Sequence, residues 1–108
     1  MTVPLPKLIG DYFAASNAHD AQAMARAFAA DAIVHDERKV HRGRAAIARW
    51  AQDTIDKYQT TTAPLSVSGG GASTAVKARV SGTFPGSPIE LTFSFEIGDD
   101  GIKSLKIG

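Results

Sequence analysis

The sequence predicts an α+β fold: N-terminal helices packed against one face of a curved antiparallel sheet, as one domain over residues 1–108. Three observations predict it. Apolar residues recur at three- and four-residue spacing up to Tyr58, the helical period. After Tyr58 the period changes to two, the period of a half-buried strand. Helices that come first and strands that come last segregate into two layers rather than alternating, which is the α+β arrangement.

The elements follow in order. Leu5, Leu8, Ile9, Tyr12, Phe13 and Ser16 mark one stripe of a first helix, with Pro4 and Pro6 where a first turn tolerates a missing N–H. Asn17 ends it and Asp20 caps a second, Ala-rich helix, AQAMARAFAA (21–30), with Met24 and Phe28 on one face. Ala32, Ile33 and Val34 open a short strand that reaches Asp36. A third helix runs from about Arg44 to Tyr58 behind a weak Gly43 cap, with Ile47, Trp50, Ala51, Thr54, Ile55 and Tyr58 as its stripe.

Four strands then follow. TTTAPLSVS carries a Pro, which predicts an edge or a bulge. In ASTAVKARVSG and PIELTFSFEI, apolar and polar residues alternate, as in antiparallel strands wetted on one face. Folding these two about Pro85–Gly86 sets Val80 opposite Leu91 and Val76 opposite Phe95. Asp99–Asp100–Gly101 predicts a hairpin into the last strand, IKSLKI. A curved sheet capped by helices leaves a pocket between its layers, the usual place for a small ligand.

Composition narrows the function. At 108 residues and 44% hydrophobic content the chain has enough apolar material for one core. A formal charge of +1 is not the basic excess of a nucleic-acid protein. Cys is absent, so disulfides and thiolate metal sites are excluded. No window reaches the 18 apolar residues of a membrane span, and the first residues lack a signal-peptide pattern, so the expected location is cytoplasmic.

The stretch AIVHDERKVHRG (32–43) concentrates titratable groups where a β-branched strand enters the core. Alternation puts Asp36 on one face with Ala32 and Val34, and His35 on the other with Ile33. His35 and His41 do not match a zinc spacing, so no metal is expected. Each is an alternative acid–base partner for Asp36, since His titrates near neutral pH. Arg38, Lys39, Arg42 and Arg44 read as a solvated turn, or alternatively as a mouth that attracts an anionic ligand.

Together, YFAASNAHD, MARAFAADAIVHD and RGRAAIARW resemble the nuclear-transport-factor-2-like superfamily, near its SnoaL-like and ketosteroid-isomerase-like branches. The resemblance covers most of the chain and implies the cone, or cystatin-like, fold. It also implies a cofactor-free enzyme of isomerase, cyclase or dehydratase type, acting by proton transfer on a hydrophobic carbonyl compound. In the isomerases a first-helix Tyr donates to the developing enolate and a first-strand Asp moves the proton. Those positions are Tyr12 and Asp36 here. Val34, His35, Trp50 and Phe93 are the expected substrate-binding residues. The pattern also departs from the isomerases. Their second oxyanion donor falls near Phe93, which has no proton to give, and their supporting tyrosines correspond to Phe28 and Ala51. Steroid isomerisation is therefore not expected. Relatives pair through the sheet, so a homodimer is expected, and the alternative function is a non-catalytic ligand-binding or dimerisation module.

Overall fold

A computed structural model of the protein describes residues 5–108. Its elements are α1 (Lys7–Asn17), α2 (Ala21–Arg26), β1 (Phe28–Asp36), β2 (Lys39–Arg42), α3 (Gly43–Tyr58), β3 (Thr61–Gly70), β4 (Ser73–Ser81), β5 (Ile89–Gly98) and β6 (Gly101–Ile107). One six-stranded sheet runs β2-β1-β6-β5-β4-β3. Neighbours are antiparallel except β1 and β6, which pair parallel. The sheet curves around the helices, and the core lies between the two layers.

α1 starts behind Pro6, whose extended backbone suits an N-cap; Pro4 lies outside the described residues. Ile9, Tyr12, Phe13 and Ser16 are buried as the stripe requires. Asn17 ties the helix end to β3: its Nδ2 donates to the Thr62 carbonyl (2.9 Å) and its Oδ1 accepts from the Thr62 N–H (2.7 Å). Asp20 caps α2 by accepting from the Ala23 N–H at 3.0 Å.

The second helix is shorter than expected. It ends at Arg26, and Phe28–Ala30 belong to β1. Alanines favour helix in isolation, but here pairing of Phe28 with Ile102 of β6 takes the segment into the sheet. Between Phe28 and Ile33 the β1–β6 register shifts. The Phe28 carbonyl instead accepts from Arg44 Nε at 2.9 Å, which anchors the start of α3 to β1.

β2 was not expected. It forms a tight hairpin with β1, pairing Asp36 with Lys39 and Val34 with His41. The two turn residues, Glu37 (φ 52) and Arg38 (φ 64), are both left-handed. A two-residue hairpin turn demands that conformation, and it normally falls to Asn or Gly. α3 begins at Gly43, so the N-cap is Arg42 rather than Gly43.

β3 is an edge strand with a register shift at Pro64–Ser66, where Pro was expected to place one. The β4–β5 pairing differs from expectation by two residues: Val80 faces Ile89 and Val76 faces Phe93. A slip of two keeps every side chain on its face, so the apolar sides still agree. The connecting loop is correspondingly long, Gly82–Pro88. The β5–β6 hairpin closes at Gly98 and Gly101 as predicted. Among the described residues, no helix is long and apolar enough to cross a membrane.

Candidate active site

Helices and curved sheet enclose a cavity of about 210 Å³. Its deep end is lined by the buried residues Tyr12, Met24, Trp50, Ala51 and Phe93. Toward solvent it is lined by Glu37, Tyr58, Phe84, Ile89 and Leu91, which are exposed or half-buried. Asp36 stands between, half-buried at the end of β1. Among the described residues, no lining side chain besides Asp36 and Glu37 is ordinarily charged.

Tyr12 is held by aromatic edges. Phe13, Phe28 and Phe95 meet its ring in T-shaped contacts with centroids 5.2, 5.9 and 5.6 Å away. Such a cage fixes the ring and so aims the hydroxyl. That hydroxyl forms no hydrogen bond among the described residues, so it remains free to donate to a ligand. Burial pushes its pKa well up, and the nearby Asp36 charge pushes it further. The phenol stays protonated, as a hydrogen-bond donor must.

Asp36 reaches the cavity because β1 ends there and alternation turns its side chain inward with Ala32 and Val34. Its Oδ2 accepts a hydrogen bond from Trp50 Nε1 at 3.0 Å. Burial raises the carboxyl above its ordinary value. The Trp50 bond opposes that rise, the neighbouring Glu37 charge adds to it, and the Glu37 backbone N–H and His41 oppose it. Desolvation is the largest of these effects, so Asp36 is a stronger base than an exposed aspartate. Trp50 therefore orients the carboxylate in addition to forming wall. His41 lies behind it, ring centroid 6.0 Å from the indole.

Tyr12, Asp36, Trp50 and Phe93 thus share one cavity. Two other expected site residues do not line it. Val34 is completely buried in the core beneath. His35 lies on the outer, exposed side of β1, opposite Asp36, where period two sends it. The basic residues do not line the cavity itself: Arg38 and Lys39 face an adjoining surface depression that shares Asp36, Glu37 and Ile107 with it, and Arg44 faces the α2–α3 groove. His19 is exposed, with Nε2 2.8 Å from the Thr60 carbonyl.

Two cavity residues escaped the sequence reading as functional groups, Glu37 and Tyr58. The Tyr58 hydroxyl donates to Glu37 Oε1 at 2.9 Å, joining the end of α3 to the β1–β2 turn. Tyr58 was within reach, since it continues the Trp50–Thr54 row at four-residue spacing. Glu37 gave no signal, because alternation would turn it away from Asp36. Its left-handed backbone undoes that alternation. Among the described residues, no cluster of three or more His, Cys, Asp or Glu side chains could hold a metal ion.

This fold and cavity define a class, and the comparisons agree with it. The SnoaL-like domain family matches residues 9–104, and the chain belongs to that family. A candidate polyketide cyclase from Sinorhizobium meliloti is 40% identical, with a TM-score of 0.92 over 96% of this chain and 95% of that one. A second candidate polyketide cyclase, from Xanthomonas campestris pv. campestris, is 22% identical (TM-score 0.82, 94% of this chain, 86% of that). The epoxide hydrolase/cyclase-like enzyme of pyran ring formation in salinomycin is 23% identical (TM-score 0.81, 94% and 86%). These last two share the fold. No curated protein matches the chain.

Proposed function

We propose that this protein is a small cofactor-free enzyme that moves a proton on a hydrophobic carbonyl compound bound in the cavity. One observation carries the reading: a desolvated carboxylate and an unpartnered, caged phenol line the same apolar space. Asp36 accepts a proton from the carbon next to the carbonyl, and charge develops on the carbonyl oxygen. Tyr12 donates a hydrogen bond to that oxygen, stabilising the enolate without reorganising. The carboxylic acid then returns the proton to another carbon, giving an isomer. If the enolate carbon attacks a second carbonyl instead, that carbonyl's π bond breaks, its oxygen takes the proton back from Asp36, and the product is a ring. The 40% identical candidate cyclase makes the ring-forming outcome the favoured one.

The cavity sets the size of the substrate. A space of ~150 Å³ takes one benzene, so about 210 Å³ leaves room for one or two fused rings inside the cavity.

Deuterium exchange into 2-tetralone in D₂O, followed by NMR, tests the chemistry without the natural substrate. The protein is expected to accelerate exchange beside the carbonyl. Asp36→Asn should abolish the acceleration, and Tyr12→Phe should reduce it by roughly 10²–10³. Equal acceleration by the Asp36→Asn protein would remove Asp36 as the base.

A further inference from the structure

The charged side chains that line the cavity are acidic, although the depression adjoining it, which shares Asp36 and Glu37, also carries Arg38, Lys39 and Lys106. Arg38, Lys39, Arg42 and Arg44 are absent from the lining, while Asp36 and Glu37 are both present. Lys57 stands 5.0 Å from the Tyr58 ring centroid, and Tyr58 and then the Glu37 charge hold its pKa up, but it is exposed and lies outside the lining.

Glu37 is where it is for an identifiable reason. Its left-handed backbone (φ 52) reverses the strand alternation and sends two successive side chains, Asp36 and Glu37, to the same cavity. Asn or Gly would form this turn with less strain, yet this chain carries a glutamate there. Tyr58 then holds the carboxylate across the opening at 2.9 Å. We infer that Glu37 determines the ligand charge: clasped over the cavity mouth by Tyr58, it turns anions away and admits neutral or cationic ligands.

Like charge at an entrance is a recognised means of rejecting a wrong partner. The substrate class narrows accordingly. A carbonyl compound without a carboxylate or phosphate is accepted, and the free acid of the same skeleton is refused. This rests on the cavity being the ligand site, as in the proposed function, but not on Asp36 acting as a base.

Trp50 provides a direct readout, because it is the one Trp of the chain and lines the cavity. Its fluorescence is quenched with iodide, caesium and neutral acrylamide at one fixed ionic strength well below 0.1 M, where charges still act over about 10 Å. Each quenching constant is divided by that for free N-acetyltryptophanamide, because iodide is intrinsically the more efficient quencher; on that scale iodide is expected to quench the wild-type protein less than caesium does. Glu37→Gln keeps an oxygen to accept from Tyr58 and removes only the charge. It should raise the iodide-to-caesium ratio about sevenfold, because removing a potential of roughly one kT changes each ion about threefold in opposite directions, with acrylamide unchanged. Tyr58→Phe keeps the charge but releases it, and should raise the ratio by less.

A wild-type ratio at or above one, or a ratio unchanged in Glu37→Gln, would overturn the inference. A Tyr58→Phe ratio equal to wild type would overturn the clasp. Quenching involves no turnover, so either failure would leave the base assignment standing, and failure of tetralone exchange would leave this one standing.

Discussion

Burial of Asp36 costs stability, and the sign of that cost with pH is fixed by its surroundings. Burial raises its carboxyl above the ordinary value of 3.8, so the folded protein holds this proton more tightly than the unfolded chain does. Between the unfolded and the raised folded pKa, stability therefore falls as pH rises; above that window the ionised carboxylate is a constant deficit. Asp36→Asn removes the ionisation and keeps an oxygen to accept from Trp50 Nε1. The variant is expected to have a higher Tm than wild type at pH 7, with the difference closing as pH falls through the raised pKa toward 3.8. Thermal unfolding followed by circular dichroism at several pH values reads this directly. A variant no more stable than wild type at pH 7 would mean that Asp36 is solvated in the folded protein. Residue identity alone could not have supplied this. Tyr12 and Asp36 were legible through their family positions, but the Trp50 bond and the Glu37–Tyr58 clasp depend on tertiary placement. No periodicity encodes that a helix indole meets a strand-end carboxylate, or that a glutamate adopts a left-handed backbone.

At the scale of elements, hydrophobic period was a good guide to type and a poor one to boundaries. α1, α3, β4 and β5 were legible because each turns one apolar face toward the core. The α2–β1 boundary was not, since alanines carry no period and Phe28 suits a helix stripe as well as a strand. β2 was invisible: Lys39, Val40 and Arg42 are exposed, and an edge strand held by backbone pairing needs no apolar pattern. The β6 hairpin was legible from its glycine, and the structure adds a second reason for that glycine. Gly101 has φ 137, and a Cβ there would stand 2.9 Å from the Ala29 nitrogen and 3.0 Å from the Phe28 carbonyl carbon. Those atoms belong to β1, where β6 crosses it in parallel. Gly101→Ala combines a forbidden conformation with a backbone clash that no rotamer relieves. A loss of roughly 2–4 kcal/mol in urea unfolding is expected. A loss below about 1 kcal/mol would show that β1 and β6 separate easily there.

At the scale of the molecule, the two sides of the sheet have opposite characters. The concave side carries Val76, Ala78, Val80, Phe93 and Phe95 into the core. The outer side presents Lys77, Arg79, Glu90, Ser94 and Glu96, all exposed. Arg79 sits across from Glu90, and Ser73 Oγ donates to both Glu96 oxygens at 2.9 and 2.8 Å. A two-fold axis brings a surface onto itself, so a patch of one sign repels its copy, whereas interleaved lysine, arginine and glutamate offer each charge an opposite. We propose a homodimer formed through this outer face. The arrangement suits the chemistry, because the cavity opens between the helices and the concave side, leaving the outer face free to pair without blocking entry. Light scattering at micromolar concentration is expected to give twice the 11.4 kDa chain mass. Reversing one sign with Arg79→Glu sets a second carboxylate beside Glu90 in each protomer and across the axis, and should shift the protein toward monomer. Raised salt should weaken the wild-type dimer for the same reason, since rim charges are screened within about 10 Å at 0.1 M. A wild-type monomer at these concentrations would refute the pairing, and a dimer indifferent to Arg79→Glu would move the interface elsewhere.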